Sequence, residues 1–208
     1  MAGRVRRMLV GVLPAVLNGP GTALLRIRDL DDEVDALHSQ VVKFLGQVSQ
    51  RTLSDKNTAE LVSLIEATNN IEAIGDIIET NMVQIGFQRI DQSITPSDAT
   101  REVLTDLHIS VVAAYDTAMD ALTAGDLMLA DTVSEMKEDI TAQVRAAGAH
   151  QAERLIADEP QRVEAYRLEM DLINSLNRIY YFTKRTAREV LPLRKKQVKD
   201  HAAIVGGE

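Results

Sequence analysis

The chain of 208 residues has no cysteine and no tryptophan, only four tyrosines and three phenylalanines, and few glycines or prolines. Each scarcity excludes something. Without cysteine there are no disulfides and no thiolate metal sites. With aromatic residues at 3 %, the core has to be aliphatic, and base-stacking surfaces for single-stranded nucleic acid are not available. Sparse glycine and proline favour long helices over a turn-rich β architecture. No apolar run approaches the roughly 18 residues of a membrane span. Positive charge is also in deficit: the net charge of -8 argues against a broad nucleic-acid surface.

What is present is helical periodicity from end to end, and no strand pattern. Residues 4 to 18 form a short first helix, stopped by Gly19-Pro20-Gly21. Arg4, Arg6 and Arg7 precede a short apolar run that mimics the start of a signal peptide, but Pro14 follows at once and no cleavage site stands out, so a cytoplasmic chain is expected. In the second helix Ile27, Leu30, Val34, Leu37, Val41, Phe44 and Val48 step by three and four, a seam for packing on neighbours. Beside it runs a stripe of Leu24, Asp31, Asp35, His38, Val42 and Leu45, apolar at both ends and acidic in the middle. Acids bracketed by leucine are expected to face protein.

The second helix ends near Thr52-Leu53-Ser54-Asp55, with Ser54 capping a third that runs from about Asn57 to Asp91. Thr95-Pro96-Ser97-Asp98 reads as the next start, with Thr95 as cap and Pro96 at the first position. The fourth helix reaches Ala124, Gly125-Asp126 turns the chain, a fifth runs to about Ala157, and after Asp158-Glu159-Pro160 a sixth extends to about Leu191-Pro192. The spacing from Gly19 to Gly125 superimposes the two halves, so the expected architecture is all-α: two tandem three-helix bundles, 1–92 and 93–208, of six antiparallel helices with the first one short. That short first helix would suit a chain that begins partway through a helix.

The third helix carries Asn69-Asn70-Ile71-Glu72-Ala73-Ile74-Gly75-Asp76. Glu72 and Asp76 project from one face, and Gly75 between them costs about 1 kcal/mol relative to alanine, which implies a close approach by a backbone or an ion. Asp35 and Glu72 lie equally far from the turn at Leu53–Ser54, as do Asp31 and Asp76, and His38 and Asn69. An antiparallel hairpin therefore sets four carboxylates at one height, about 30 Å from its turn. Two carboxylates about 5 Å apart repel by roughly 3 kcal/mol at an effective dielectric of about 20. Either some stay protonated, a divalent cation neutralises them, or they pair with Arg26, Arg28 or a lysine. Oxygen ligands suit Mg, Ca or Mn; a nearby imidazole brings Fe or Zn into range. In the second half, Lys137, Thr141, Asn177 and Tyr181 stand where the acids would be.

These segments resemble the PhoU family of phosphate-uptake regulators. Asn69 to Asp76 is similar to that family's N-D-L-E-R-I-G-D signature, with Asn70 for its aspartate and Ala73 for its arginine. Asp31-Asp32-Glu33-Val34-Asp35-Ala36-Leu37 resembles its D-x-E-[IV]-D-x-L segment. Leu30 to His38 and Asn177-Arg178-Ile179-Tyr180-Tyr181 look closer to the PhoU-like cytoplasmic domain of sodium/phosphate cotransporter family proteins. The resemblance runs over nearly the whole chain. It implies a pair of three-helix bundles, a non-enzymatic role in phosphate transport, and contact with a transporter's membrane domain or an associated sensor kinase. It also implies metal ligands at Asp31, Asp35, Glu72 and Asp76, with His38 and Asn69 as additions, the metal being Mg, Mn, Fe or Zn.

Six antiparallel helices bring both termini to one end, where Arg4, Arg6, Arg7, Arg194, Lys195, Lys196 and Lys199 would form a basic face toward a membrane or partner. Other functions stay open at this point. Asp35-x-x-His38 is a faint echo of carboxylate-bridged di-metal oxidases. His38, His108 or His150 could accept a phosphoryl group. A helical scaffold or dimerisation module would bind no metal at all. No Gly-rich phosphate loop is present.

Overall fold

The computed structural model describes residues 1–156 and 161–190, and among them there is no strand. The helices are α1 (Ala2–Asn18), α2 (Gly21–Ser49), α3 (Asp55–Asp76), a π-helical segment (Ile77–Val83), α4 (Gln84–Asp91), α5 (Asp98–Ala124), α6 (Leu127–Glu135), α7 (Lys137–Arg154) and α8 (Arg162–Arg188). The α3, π and α4 pieces follow one another without a break and make one rod. Only Met136 separates α6 from α7. The bundle thus has six rods, three in each half, as the periodicity implies. The expected turn at Asp158-Glu159-Pro160 and the last turn to Leu191-Pro192 lie outside the described residues.

Local chemistry sets the boundaries. Ser54 caps α3 as expected, its hydroxyl oxygen accepting the Asn57 N–H at 3.2 Å. The cap of α5 is Ser97 rather than Thr95: Ser97 accepts the Thr100 N–H at 3.2 Å and also receives Arg154 Nη1, so Pro96 stays outside the helix. Ser97 thus carries a tertiary contact, from the arginine of α7, that Thr95 does not. Gly125 ends α5 at φ 64, a left-handed turn that glycine adopts without strain, and Asp126 then caps α6 by accepting the Met128 N–H at 2.8 Å. The expected unbroken fifth helix is interrupted at Met136, where α6 stops and α7 begins.

Within each half the rods pack in sequence, α1 on α2 and α2 on α3, then α5 on α6 and α7, and α7 on α8. The halves join through α3 against α8 and α1 against α5. One aliphatic core runs through both, with Leu24, Ile74 and Ile78 from the first half and Leu104, Leu107 and Ile173 from the second. Scarce polar and aromatic groups stitch the junction. Tyr115, fully buried, donates its hydroxyl to the Ala2 carbonyl at 2.9 Å. His108 Nε2–H donates to the Leu9 carbonyl at 2.7 Å. Arg6 forks onto Asp116 at 2.7 and 2.8 Å.

The α2 seam is covered only in part. Ile27 and Val34 are buried, but Phe44 is 62 % exposed. Arg4 and Arg7 at the start of α1 reach Glu33, so the later part of α2 runs past the helix that would cover it. Val42 in the neighbouring stripe is exposed as well. The seam's periodicity is real; its partner is shorter than it is.

Candidate metal centre

The hairpin of α2 and α3 has the register that counting from its turn implies. His38 Nε2 lies 3.2 Å from Asn69 Oδ1, so these two residues face each other across it. Toward the middle of the rods, Asp31, Asp35 and Asp76 each present a carboxylate oxygen, and the three oxygens lie within 4.8 Å of one another. Among the described residues no other group of three or more acidic, histidine or cysteine side chains converges in this way.

Gly75 makes the layer. A Cβ at that position would stand 2.9 Å from Asp31 Oδ1 and 3.5 Å from Val34 Cγ1. The close approach at this glycine is made not by the expected backbone or ion but by the Asp31 carboxylate, which occupies the space a side chain would take. Asp31 is only 8 % exposed, and its Oδ1 has no hydrogen-bond partner. Burial, then the charges of Asp35, Asp76, Glu79 and Asp32, push its carboxyl up to about 7. Asp76 is raised by burial, Asp35 and Glu79, with His38 opposing. Glu72 is raised by burial and Asp76, again opposed by His38, with Asp35 adding to the rise.

Among the described residues no cation neutralises the three aspartates. Arg26 and Arg28 are exposed and form no ion pair with them, while Arg4 and Arg7 are engaged by Glu33. A buried carboxylate oxygen without a donor, beside two exposed carboxylates, is a donor set that favours a positive charge. The set is all oxygen and open to solvent on the Asp35 and Asp76 side, which suits a hard divalent cation that retains some of its water.

The other expected ligands stand slightly apart. Glu72 is half-buried one turn before Asp76, and His38 with Asn69 follows in the same direction. Sequence reasoning passed over Glu79, three residues after Asp76 and already in the π segment, whose charge acts on both Asp31 and Asp76. Its i+3 spacing was the available signal. Lys137 and Asn177 of the second half are exposed, as is Tyr181.

At the expected basic end, Arg4 and Arg7 pair with Glu33 and Arg6 with Asp116, while Arg194, Lys195, Lys196 and Lys199 lie outside the described residues. Of the three histidines considered for phosphoryl transfer, His108 is 7 % exposed and spent on the Leu9 carbonyl. Burial outweighs that hydrogen bond and lowers its pKa from 6.5. His38 faces Asn69, and His150 Nε2 sits 3.5 Å from Thr100 Oγ1. No helix among the described residues is long and apolar enough to cross a membrane.

Comparison with known proteins finds likeness to PhoU in the sequence of the first half and in the fold of the six-rod bundle. The PhoU domain model matches residues 1–84. The crystal structure of PhoU from Pseudomonas aeruginosa superimposes with a TM-score of 0.86 at 16 % identity, over 94 % of this chain and 92 % of that one, which establishes the fold. Proteins named for inorganic phosphate export, YjbB, are similar in sequence. The one from Escherichia coli K12 is 22 % identical over 180 residues, and that from Salmonella typhimurium 23 % over 179. In both cases the match takes in 84 % of this chain and 32 % of the relative, so the chain spans about a third of their length.

Proposed function

We propose that the chain is a non-enzymatic PhoU-like module that regulates the movement of inorganic phosphate across a membrane, and that Asp31, Asp35 and Asp76 hold a divalent cation within it. The observation that carries the metal half is the orphaned Asp31 Oδ1 in an oxygen-only layer with no neighbouring cation. Glu72, with His38 and Asn69 behind it, would complete or orient the ligand set. Mg or Mn suits the three aspartates; recruiting His38 would widen the choice to Fe or Zn.

The transport half draws on the PhoU fold and on relatives named for phosphate export. The sequence resemblance points to uptake through a sodium/phosphate cotransporter and the relatives' name to export, so the proposed role is control of transport rather than one direction of it. The partner would be a transporter's membrane domain or its sensor kinase, met at the cytoplasmic face, and the two three-helix units would act as tandem repeats. A bound cation would fix α2 against α3 and so set the surface that the partner reads.

The test is phosphate flux in cells lacking the chain, followed with labelled phosphate in both directions. Restoring the wild type should change net flux, and Asp31→Asn/Asp76→Asn should restore it incompletely. Identical uptake and efflux with and without the chain, in scarce and in abundant phosphate, would refute the reading.

A further inference from the structure

Between the two halves, on the side formed by the π–α4 rod and α8, lies a groove of about 380 Å³. One wall carries Asn81, Gln84 and Gln88; the other carries Asp171, Asn174 and Arg178. Asn81 belongs to the π segment, and the wall is built where the rod rewinds from π to α geometry. Such π segments are rare and recur at functional sites, because they are kept despite poorer helical geometry. Arg178 lies in the Asn177-to-Tyr181 segment that the sequence singles out and the metal centre leaves unused.

The side chains in the groove are not occupied with each other. Arg178 and the four amides make no side-chain hydrogen bond or ion pair with the described protein. Asp171 stands seven residues from Arg178 on the same helix, about 10 Å along the axis, and makes no ion pair with it. A guanidinium fork, four amide groups that can each donate or accept, and one carboxylate that can only accept face the same space. This is a small convergent polar site in a cleft.

We propose that this groove binds a phosphate group, held by Arg178 and the amides of Asn81, Gln84, Gln88 and Asn174. The choice of phosphate among oxyanions rests on the transport role proposed above; the groove itself does not. Arg178 supplies a two-pronged contact to two phosphate oxygens, and the amides turn their N–H groups to the rest. Asp171 accepts from a protonated phosphate oxygen, which hydrogen phosphate has and sulfate lacks. Because its walls come from the first-half rod and from α8, a bound phosphate joins the two halves and reports phosphate to the same module that controls its transport.

The test is a titration of the full 15N-labelled chain with inorganic phosphate, with AMP and with sulfate, following the side-chain NH2 signals of the four amides. Saturable shifts at millimolar or lower phosphate that vanish in Arg178→Gln support the site, provided the variant melts like wild type. AMP, whose phosphate has largely lost its last proton at neutral pH, should shift the signals less than hydrogen phosphate does; shifts with AMP but not with the free ion would overturn the proposal. Asp171→Asn should let sulfate in. Equal shifts with sulfate in the wild type, shifts that survive Arg178→Gln, or no saturable shift with either phosphate source would overturn the proposal. A chain that changes phosphate flux yet shows no shift loses this site and keeps its transport role.

Discussion

In the first half of the molecule, Gly75 leaves room beside α2 and the Asp31 carboxylate fills it. At the matching place in the second half stands Tyr180, 4 % exposed, whose hydroxyl donates to the Val133 carbonyl at 2.8 Å. In an unbroken helix that carbonyl would accept the N–H of residue 137, but the helix is interrupted at Met136. One hairpin is therefore acidic, with a π segment continuing its second rod without a gap, and the other is interrupted at Met136 and filled by an aromatic ring. Their buried acids differ in the same way. Glu169 is 3 % exposed and paired with Arg162 at 2.8 Å, a contact that Gln151 shares at 2.9 Å. Asp31 has no such partner. The second half gives its buried carboxylate an arginine, although Glu169 Oε1 itself accepts no hydrogen bond; the first half leaves its buried carboxylate without any cation, and the proposed cation site rests on that difference.

The comparison breaks most severely at Tyr180. Truncating it to alanine should cost about 3–5 kcal/mol, as large buried aromatics do, whereas Tyr180→Phe should cost only about 1 kcal/mol for the lost hydrogen bond; urea melts separate the two. If both cost the same, the hydroxyl rather than the ring holds the second hairpin together.

The next effect concerns pH. Asp31 titrates near 3.8 when unfolded and about 7 when folded, so its ionisation favours the unfolded chain. Metal-free protein should lose stability as pH rises from about 4 to 7, then level off. A tenfold change in proton affinity between the folded and unfolded chain is worth about 1.4 kcal/mol. Because Asp35 and Asp76 are open to water, a loss of about 2 kcal/mol is expected rather than the full amount. Asp31→Asn should flatten this slope and raise metal-free stability at pH 8; a steeper slope in the variant would contradict the assignment.

The capping serines offer a smaller contrast. Ser54→Ala removes one helix cap and should cost about 1 kcal/mol. Ser97 also accepts Arg154 and donates to Thr100 Oγ1, so Ser97→Ala should cost more, about 2 kcal/mol. Equal losses would show that the α7 contact adds nothing. Smallest of all, Phe44→Ser should change stability by no more than about 0.5 kcal/mol despite its place in the apolar seam, because the ring is already in water.

Much of this is legible in the sequence. The pairing of Asp31 with Asp76 and of His38 with Asn69 follows from counting outward from the turn, because antiparallel helices rise equally per residue. The helix class and six-rod order follow from periodicity and turn residues. The π segment was not legible, since Ile77 and Ile78 satisfy α and π spacing alike. Nor was the break at Met136, beside which Tyr180 of α8 takes the Val133 carbonyl, or the choice of Ser97, which also receives Arg154, over Thr95. Phe44 misled because periodicity reports which residues share a face and not whether a neighbour reaches it. Glu79 falls outside an i+4 acidic pattern, and the layer also draws on i+3.

The central claim, that the first-half layer is a cation site, is tested most directly by thermal melting of metal-stripped protein with Mg, Mn, Fe(II) or Zn, beside Asp31→Asn/Asp76→Asn. A cation at 100 times its dissociation constant should add about 2.7 kcal/mol to the wild type, and the double variant should show no metal response while being at least as stable without metal. A wild type that melts at the same temperature with every metal, or a double variant that responds as strongly as the wild type, would contradict it.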